Sequence, residues 1–337
     1  MNVADRCLEL LYDRGESFYS LDELAAAAGL SLARLKAALK DLSARGHKME
    51  LAPAHGVRLV GPVRLDAHLI ERGLGTRRLG RHVICFGKVD STNDVALAAA
   101  RQHGSDGLAV LADWQHKGRG RHGRRWFSRA GANVLLSVLL VDTSRSLAHD
   151  ALTVAAGLAA AEGIQAACGA DCRLKWPNDV VLAGAKVAGV LVEVRQVRRR
   201  RCVVVGIGVN VGAAPPQRKL DAPATSLAVH LGGPVERIEV VREVLRKLDY
   251  WVGQIAAVRA EAKDSDTAGY GALAALHDEW LSRCGIIGER LAVQCEGSRY
   301  VGRVLDVSPL EGLILRCDDG RTVHLPAEAS TVLQTRP

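Results

Sequence analysis

Apolar residues recur along this chain with more than one rhythm. Through the first 60 residues they fall three and four apart: Cys7, Leu8, Leu11 and Tyr12 share one helix face, and Leu35, Leu39 and Leu42 share another. Ser20 and Glu23 form a capping box ahead of LDELAAAA, which stops at Gly29, and Ser31 stands where it caps the next helix. HKMELAPAHGVRLV then reads as two short strands around a Pro/Gly turn. From residue 83 strands alternate with helices. VICFGKV, LAVLADW and ANVLLSVLLV predict strands, and DVALAAARQ and HDALTVAAGLAAAEGIQAAC predict helices. RLKWPNDVVLAG, AKVAGVLVEV and CVVVGIGVNV predict a three-stranded meander, and residues 235–258 and 270–283 are helical by the same criterion. Beyond Gly285 the strands are short and separated by glycine turns.

These rhythms bound four segments of an α+β chain. Residues 1–62, three helices and a hairpin, resemble a winged helix-turn-helix. Residues 63–82, rich in Arg and Gly, form a polar connector. Residues 83–283 make a mixed α/β unit, and residues 284–337 read as a small β-barrel.

Composition narrows the classes. With 48% hydrophobic and 24% charged residues the chain has ample material for a core, but aromatics are only 4%, so Ala, Leu and Val carry the packing. The eight cysteines contain no CxxC and no zinc-like run with His, which predicts free thiols in a reducing cytoplasm. The amino-terminal stretch MNVADRCLELL is not a signal peptide, and no apolar run approaches the roughly 20 residues of a membrane span. The formal net charge of +8 is uneven: residues 1–60 hold eight Lys/Arg against eight Asp/Glu and balance to zero. The excess sits in a loop at 117–129 and in a run from Arg195 to Arg201, unlike a protein that lives on nucleic-acid phosphates along one face.

The loop QHKGRGRHGRRW at 115–126 carries five Lys/Arg and three Gly. GRGRHG formally matches G-x-G-x-x-G, but a strand follows it where the dinucleotide fingerprint requires a helix. A kinase loop is excluded by the lack of H-R-D and D-F-G, and a Walker A pattern is absent. The loop is therefore a strand–glycine–strand device of another kind. Gly118, Gly120 and Gly123 let backbone N–H groups approach an anion, Arg119 and Arg121 offer guanidinium forks, and Trp126 offers a face for a base. A solvated basic loop with a core tryptophan is the simpler alternative.

Three further pieces bear on it. DSTNDVALAAA puts Ser91, Thr92 and Asn93 at a helix start; a helix cap is the simpler reading, and capture of a carboxylate or ureido group at the positive helix end is the functional one. In KWPNDVVLAGAKVAGVLVEV, Pro177 imposes a turned backbone before Asn178 and Asp179, and Lys186 opens a strand, either as an exposed strand end or as a cation aimed into a site. GIGVN ends an apolar strand on Asn210, a polar group suited to a nucleotide or sugar.

In this order S-T-N, Q-x-K-G-R-G-R-x-G-R-x-W, K-W-P-N-D, K-x-A-G-x-L-x-E, G-I-G-V-N and A-T-S-L at 224–227 resemble the biotin–protein ligases, and with both terminal units the three-part members that double as biotin-operon repressors. The resemblance implies a catalytic domain of the biotin/lipoate ligase type and an SH3-like C-terminal domain. It implies activation of biotin with ATP and Mg²⁺ to biotinyl-5′-AMP, then transfer to a lysine of a biotin carboxyl carrier protein. By the same resemblance Ser91, Thr92, Asn93 and Gln115 line the biotin pocket with the backbone of Arg119, Gly120 and Arg121. Lys186 reaches carboxylate and phosphate, and Arg119 and Arg121 neutralise the two anions. Gly118, Trp126, Asn178 and Asn210 serve the nucleotide. Catalysis falls to Arg121, Lys186 and Asp179, the last as the group that orients or deprotonates the acceptor amine, with no dedicated metal ligands. A homodimer, at least with the adenylate bound, and operator DNA are further implied partners; a membrane is not.

The repressor role is less well served. Ser31–Leu39 offers Leu and Ala where base-reading polar side chains would stand, and the wing turn Pro53–Gly56 lacks a lysine. Arg34, Lys36, Lys40 and Arg58 remain as backbone contacts to DNA, and a module kept for packing or dimer contacts is the alternative. The arginine run at 195–201 reads as a solvated turn or as a surface that steers acidic carrier domains. A biotin sensor without ligase activity would keep the pocket but lose Lys186 or the arginine pair, and all three residues are present.

Overall fold

The computed structural model describes residues 2–102, 105–142, 147–216, 222–261, 270–308 and 312–333. Its first unit comprises α1 (Val3–Arg14), α2 (Leu21–Ala28), α3 (Leu32–Ala44) and the hairpin β1 (Met49–Ala52) and β2 (Gly56–Leu59). The capping box forms as the sequence predicts: Glu23 N–H donates to Ser20 Oγ at 3.1 Å and Ser20 N–H to Glu23 Oε2 at 3.0 Å. Leu8, Leu11, Leu24, Leu35 and Leu42 close its core. Arg34, Lys36 and Lys40 face outward from α3. Arg58 instead donates to the carboxylate of Glu50, its cross-strand neighbour, at 2.9 and 2.7 Å.

Residues 63–82 depart from a polar connector. They carry α4 (Ala67–Glu71) and bury Leu65, Leu69, Ile70, Leu74 and Leu79. Asp249 accepts from the backbone N–H groups of Arg77, Arg78 and Leu79 at 2.7, 2.9 and 2.8 Å, which fixes the segment to the long helix α8 (Arg237–Glu261). Lone leucines separated by Arg and Gly carry no periodicity, so the pattern conceals this packing.

The central unit is one mixed sheet of seven strands in the order β3-β4-β5-β9-β8-β7-β6. These are β3 (Val83–Phe86), β4 (Ala109–Ala112), β5 (Val134–Val141), β6 (Arg173–Lys175), β7 (Asp179–Leu182), β8 (Ala185–Val197) and β9 (Arg200–Val209). Only β3 and β4 pair in parallel. RLKWPNDVVLAG forms a β6–β7 hairpin rather than one strand, because the chain reverses at Trp176–Asn178. Strand alternation splits the core: Val110, Leu139 and Val204 meet α5 (Thr92–Ala99) on one face, whereas Leu111, Val138 and Val205 belong with α6 (His149–Cys168) and α8 to the main core. Gly163 allows the α6–α8 crossing, since a Cβ there would lie 2.6 Å from Val244 N. Among the described residues α6, whose most apolar 18-residue window has a mean hydropathy of 1.4, has the length and composition of a membrane span, contrary to the expectation of none, but 72% of that window is buried in the fold.

A short α7 (Leu227–Leu231) precedes α8, and α9 (Tyr270–Arg283) leads into a five-stranded antiparallel sheet. Its strands are β10 (Arg290–Cys295), β11 (Ser298–Ser308), β12 (Gly312–Cys317), β13 (Thr322–Leu325) and β14 (Ser330–Leu333), in the order β13-β12-β11-β10-β14. Neither α7 nor β14 stands out in the sequence. All eight cysteines are free thiols. Burial pushes Cys172 and Cys284 up to about 12. Both should therefore stay unalkylated by iodoacetamide at pH 8 in the native protein and react once it is denatured, as peptide mass spectrometry would show.

Candidate active site

A cavity of about 360 Å³ opens between the sheet, the glycine loop and the last strand β14. Its floor is glycine because two side chains lie directly on it. A Cβ on Gly206 would sit 2.5 Å from Asn93 Oδ1, and one on Gly208 would sit 2.5 Å from Trp126 Cε2. Gly208→Ala should thus lift the indole, costing roughly 1–3 kcal/mol as overpacking does. The check is a lower denaturation midpoint together with altered tryptophan emission.

The S-T-N segment forms one end of this cavity. Ser91 holds the N-cap position of α5, but its side chain makes no capping bond; it is buried at the cavity wall, so the simpler cap reading fails for its hydroxyl. The Thr92 N–H and hydroxyl donate to Gln115 Oε1 at 2.7 and 2.9 Å. Ser137, within bonding distance of both Thr92 Oγ1 (2.7 Å) and Asn93 Oδ1 (2.5 Å), underlies them. Asn93 Nδ2 donates to Glu193 Oε2 at 2.7 Å. Ser137 was readable as the lone hydroxyl of an otherwise apolar strand, and Glu193 as the lone carboxylate of β8.

The opposite end is charged. The Trp176 indole N–H donates to Ser330 Oγ at 3.1 Å and its ring packs edge-on against Trp280. With Trp176 turned inward, Asn178 and Asp179 emerge at the cavity wall. Asn178 Nδ2 donates to Val190 O at 2.7 Å, fixing the turn against β8. Lys186 Nζ lies 2.5 Å from Asp179 Oδ1 and 5.6 Å from the centre of the Trp126 ring. The A-T-S-L segment and the proline before it hold the lysine's backbone: Lys186 N–H donates to Pro223 O and Thr225 N–H to Lys186 O, each at 2.9 Å. Asp179 is the only carboxylate among the described wall residues, against Lys175, Lys186, Arg121 and Arg124.

The loop itself contains a single 3₁₀ turn, Arg121–Gly123, and folds back through Gly120 N–H to Arg124 O (2.7 Å) and Trp126 N–H to Gly118 O (3.0 Å). Both predicted arginine forks are occupied. Arg119 donates to Asp94 at 2.7 and 2.7 Å and to Glu193 at 3.2 Å, and the carboxylates raise its pKa. Arg121 donates to Asn178 Oδ1 at 3.3 Å, to Glu328 O at 3.1 Å, to Ser330 O at 2.8 Å and to Ala327 O; burial lowers its pKa. Arg119, Gly120 and Arg121 nonetheless border the cavity, whereas Gly118 and Asn210 are not on its wall. Asn210 is buried, with Oδ1 lacking a hydrogen-bond partner among the described residues, as does Trp126 Nε1. Lys175, Arg124 and Thr331–Leu333 are wall residues that sequence reasoning missed; the last three come from β14, more than a hundred residues away.

Comparison with known proteins follows this geometry. Residues 86–210, which span α5, the loop, the Lys186 turn and the β9 end, match the biotin/lipoate A/B protein ligase family. The biotin–[acetyl-CoA-carboxylase] ligase of Mycobacterium tuberculosis is 34% identical over 277 residues, covering 78% of this chain and 96% of its own length. The bifunctional ligase/repressor BirA of Bacillus subtilis is 29% identical over 318 residues, covering 93% and 94%. Among solved structures, the Aquifex aeolicus biotin protein ligase in complex with biotin and ATP superposes with a TM-score of 0.61 at 26% identity, covering 76% of this chain and all of that one.

Proposed function

This chain belongs to the biotin–protein ligases, enzymes that join biotin to a protein, and on that premise we propose how its residues divide the work. The observation that carries the assignment is the meeting, across one cavity, of a neutral hydrogen-bonding end and a cationic end. Ser91, Thr92, Asn93 and Gln115, with the loop backbone at 119–121, suit an uncharged ureido ring. A five-atom acyl chain laid over Gly206 and Gly208 then brings its carboxylate towards Lys186. Trp126 takes the adenine, and Asn178 and Asn210 with the Gly118 loop stem take the nucleotide side.

In the first step a carboxylate oxygen bonds the α-phosphorus of ATP and pyrophosphate leaves. Two anions must approach, and Lys186, Arg121, Arg124 and Lys175 lower their repulsion. The forks of Arg119 and Arg121 are engaged by several protein oxygens, whereas the Lys186 ammonium, ion-paired with Asp179, keeps further N–H donors for a ligand, so Lys186 is the cation best placed for the reacting atoms. Magnesium, when bound, neutralises part of the triphosphate charge. In the second step a lysine amine of the carrier bonds the acyl carbon, AMP leaves, and the amine proton passes to Asp179.

The terminal units fit this enzyme. The N-terminal unit has the element order of a winged helix-turn-helix, and the C-terminal sheet the size of an SH3-like barrel. Asp13 and Arg72 tie the first to the rest in a bidentate pair, and Tyr12 donates to Glu239 of α8 at 3.0 Å. Its exposed α3 face interleaves Leu32, Ala33 and Ala37 with Arg34, Lys36 and Lys40, which suits backbone contact with DNA better than base reading. We place the enzyme in the cytoplasm, consistent with its free thiols, acting on a biotin carboxyl carrier protein and dimerising with the adenylate bound.

The test is turnover with biotin, MgATP and a carrier domain. Biotin-dependent pyrophosphate release and a biotinylated carrier are expected. Tight biotin binding without pyrophosphate would make the chain a sensor, and salt titration of operator binding would then become the decisive measurement.

A further inference from the structure

Much of the loop's positive charge is already paired with carboxylates of the protein. Lys117 Nζ lies 2.8 Å from Asp90 Oδ2, and Arg119 grips both oxygens of Asp94. Asp90 precedes the extended N-cap Ser91 of α5 and Asp94 stands in the helix's first turn, so the acids at 90 and 94 meet the cations at 117 and 119 in register across the helix start. The backbone lies in the same register: His116 N–H donates to Val89 O at 2.9 Å and Lys117 N–H to Asp90 O at 2.8 Å.

A third carboxylate joins this seam to the cavity floor. Glu193 Oε2 accepts from Arg119 at 3.2 Å and from Asn93 Nδ2 at 2.7 Å. The other end of that amide, Asn93 Oδ1, accepts from Ser137 at 2.5 Å. The amide is thereby oriented by the floor at one end and by the loop's partner at the other. Trp126 is the only half-buried aromatic between Gly118 and Trp126 itself, so little apolar packing holds this segment down.

We propose, resting on the ligase reading above, that Asp94, Glu193 and Arg119 with the Asp90–Lys117 pair form a clasp that keeps the glycine loop shut over the biotin end of the cavity, with Asp94 and Glu193 as positioning residues. Arg119 acts on the ligand through the loop backbone it holds. The clasp slows escape of biotin and of the adenylate, which must survive until the carrier arrives. The Arg119 hydrogen bonds hold the Asp94 carboxyl below the usual carboxylate range. The Asp94–Arg119 pair is therefore complete at neutral pH and is lost only as pH falls through that lowered value.

The experiment measures biotin dissociation by stopped flow for the full chain, Asp94→Asn, Glu193→Gln, Arg119→Ala, Arg119→Lys and the double variant Asp94→Asn/Arg119→Ala, each with its thermal midpoint. Free biotinyl-5′-AMP released in the absence of carrier is quantified beside it. About tenfold faster dissociation is expected for Asp94→Asn and for Arg119→Ala, with no further gain in the double variant and partial recovery in Arg119→Lys. Glu193→Gln should raise escape of adenylate with kcat for pyrophosphate release changed less than the KM for biotin. Wild-type dissociation in both carboxylate variants would overturn the clasp, as would additive effects in the double variant, which would put Arg119 on the ligand directly. Absence of pyrophosphate from the wild type would sink the ligase reading alone, because biotin dissociation is read independently.

Discussion

Lys186→Ala is expected to slow biotin-dependent pyrophosphate release about 10²–10³-fold, the loss typical of removing one preorganised charge from a site where charge develops. The position explains the size of the effect. The lysine backbone is pinned between Pro223 and Thr225, so the ammonium is delivered to one place without reorganisation. Its Nζ stands between Asp179 and the Trp126 ring. A carboxylate and a triphosphate meeting there gain most from a cation that is already in position. Arginine should restore little. The lysine stem and Trp126 lie on Gly189, where a Cβ would come within 3.0 Å of Lys186 Cε and 3.1 Å of Nζ and of Trp126 Cζ3, so a longer, planar guanidinium would have to displace one of them. Saturating single-turnover kinetics separate this from weaker substrate binding. A loss under threefold would leave Lys186 as an exposed strand end.

The elements that position Lys186 show what the sequence made legible. Strong periodicity located α1 to α3, the long α6 and most of β8 and β9, and the six motifs marked one site because five of them contribute residues to the same cavity wall and A-T-S-L braces the Lys186 backbone behind it. What it concealed has a physical cause in each case. Residues 63–82 bury Leu65, Leu74 and Leu79 singly, packing against several elements (α1, β3 and α8) rather than forming one face of their own. Thr331–Leu333 reach the cavity only through the docking of the C-terminal sheet, by Trp176 to Ser330 and Arg121 to the backbone of 327–330. Such a contact has no local signature. The loop cations misled for a different reason. Composition counts five positive charges, but not that Lys117 and Arg119 are already matched by acids on either side of the α5 N-cap. A charge run states an amount of charge, and only its partners state how much remains for a ligand.

Asp179→Asn separates the two chemical steps and is the second large effect expected. Asparagine keeps the shape of the side chain and an oxygen that accepts from Lys186, so the ammonium stays near its present position and adenylation should fall by about tenfold or less. It carries no charge and cannot take a proton, so transfer from preformed adenylate to the carrier lysine should fall about 10²–10⁴-fold, the range for loss of a general base. The same carboxylate has a second effect that fixes the sign of the difference. In adenylation Asp179 faces incoming anions and partly cancels Lys186, so removing its charge takes away an unfavourable term as well as a partner. In transfer the incoming group is an amine that becomes positive as it bonds the acyl carbon, and the carboxylate stabilises that charge directly. A single substitution therefore pushes the two rates apart. Pyrophosphate release measures the first rate, and a chase of isolated enzyme–adenylate complex with carrier measures the second. Equal losses in both would remove Asp179 from the transfer step and leave it as the residue that holds Lys186 in line.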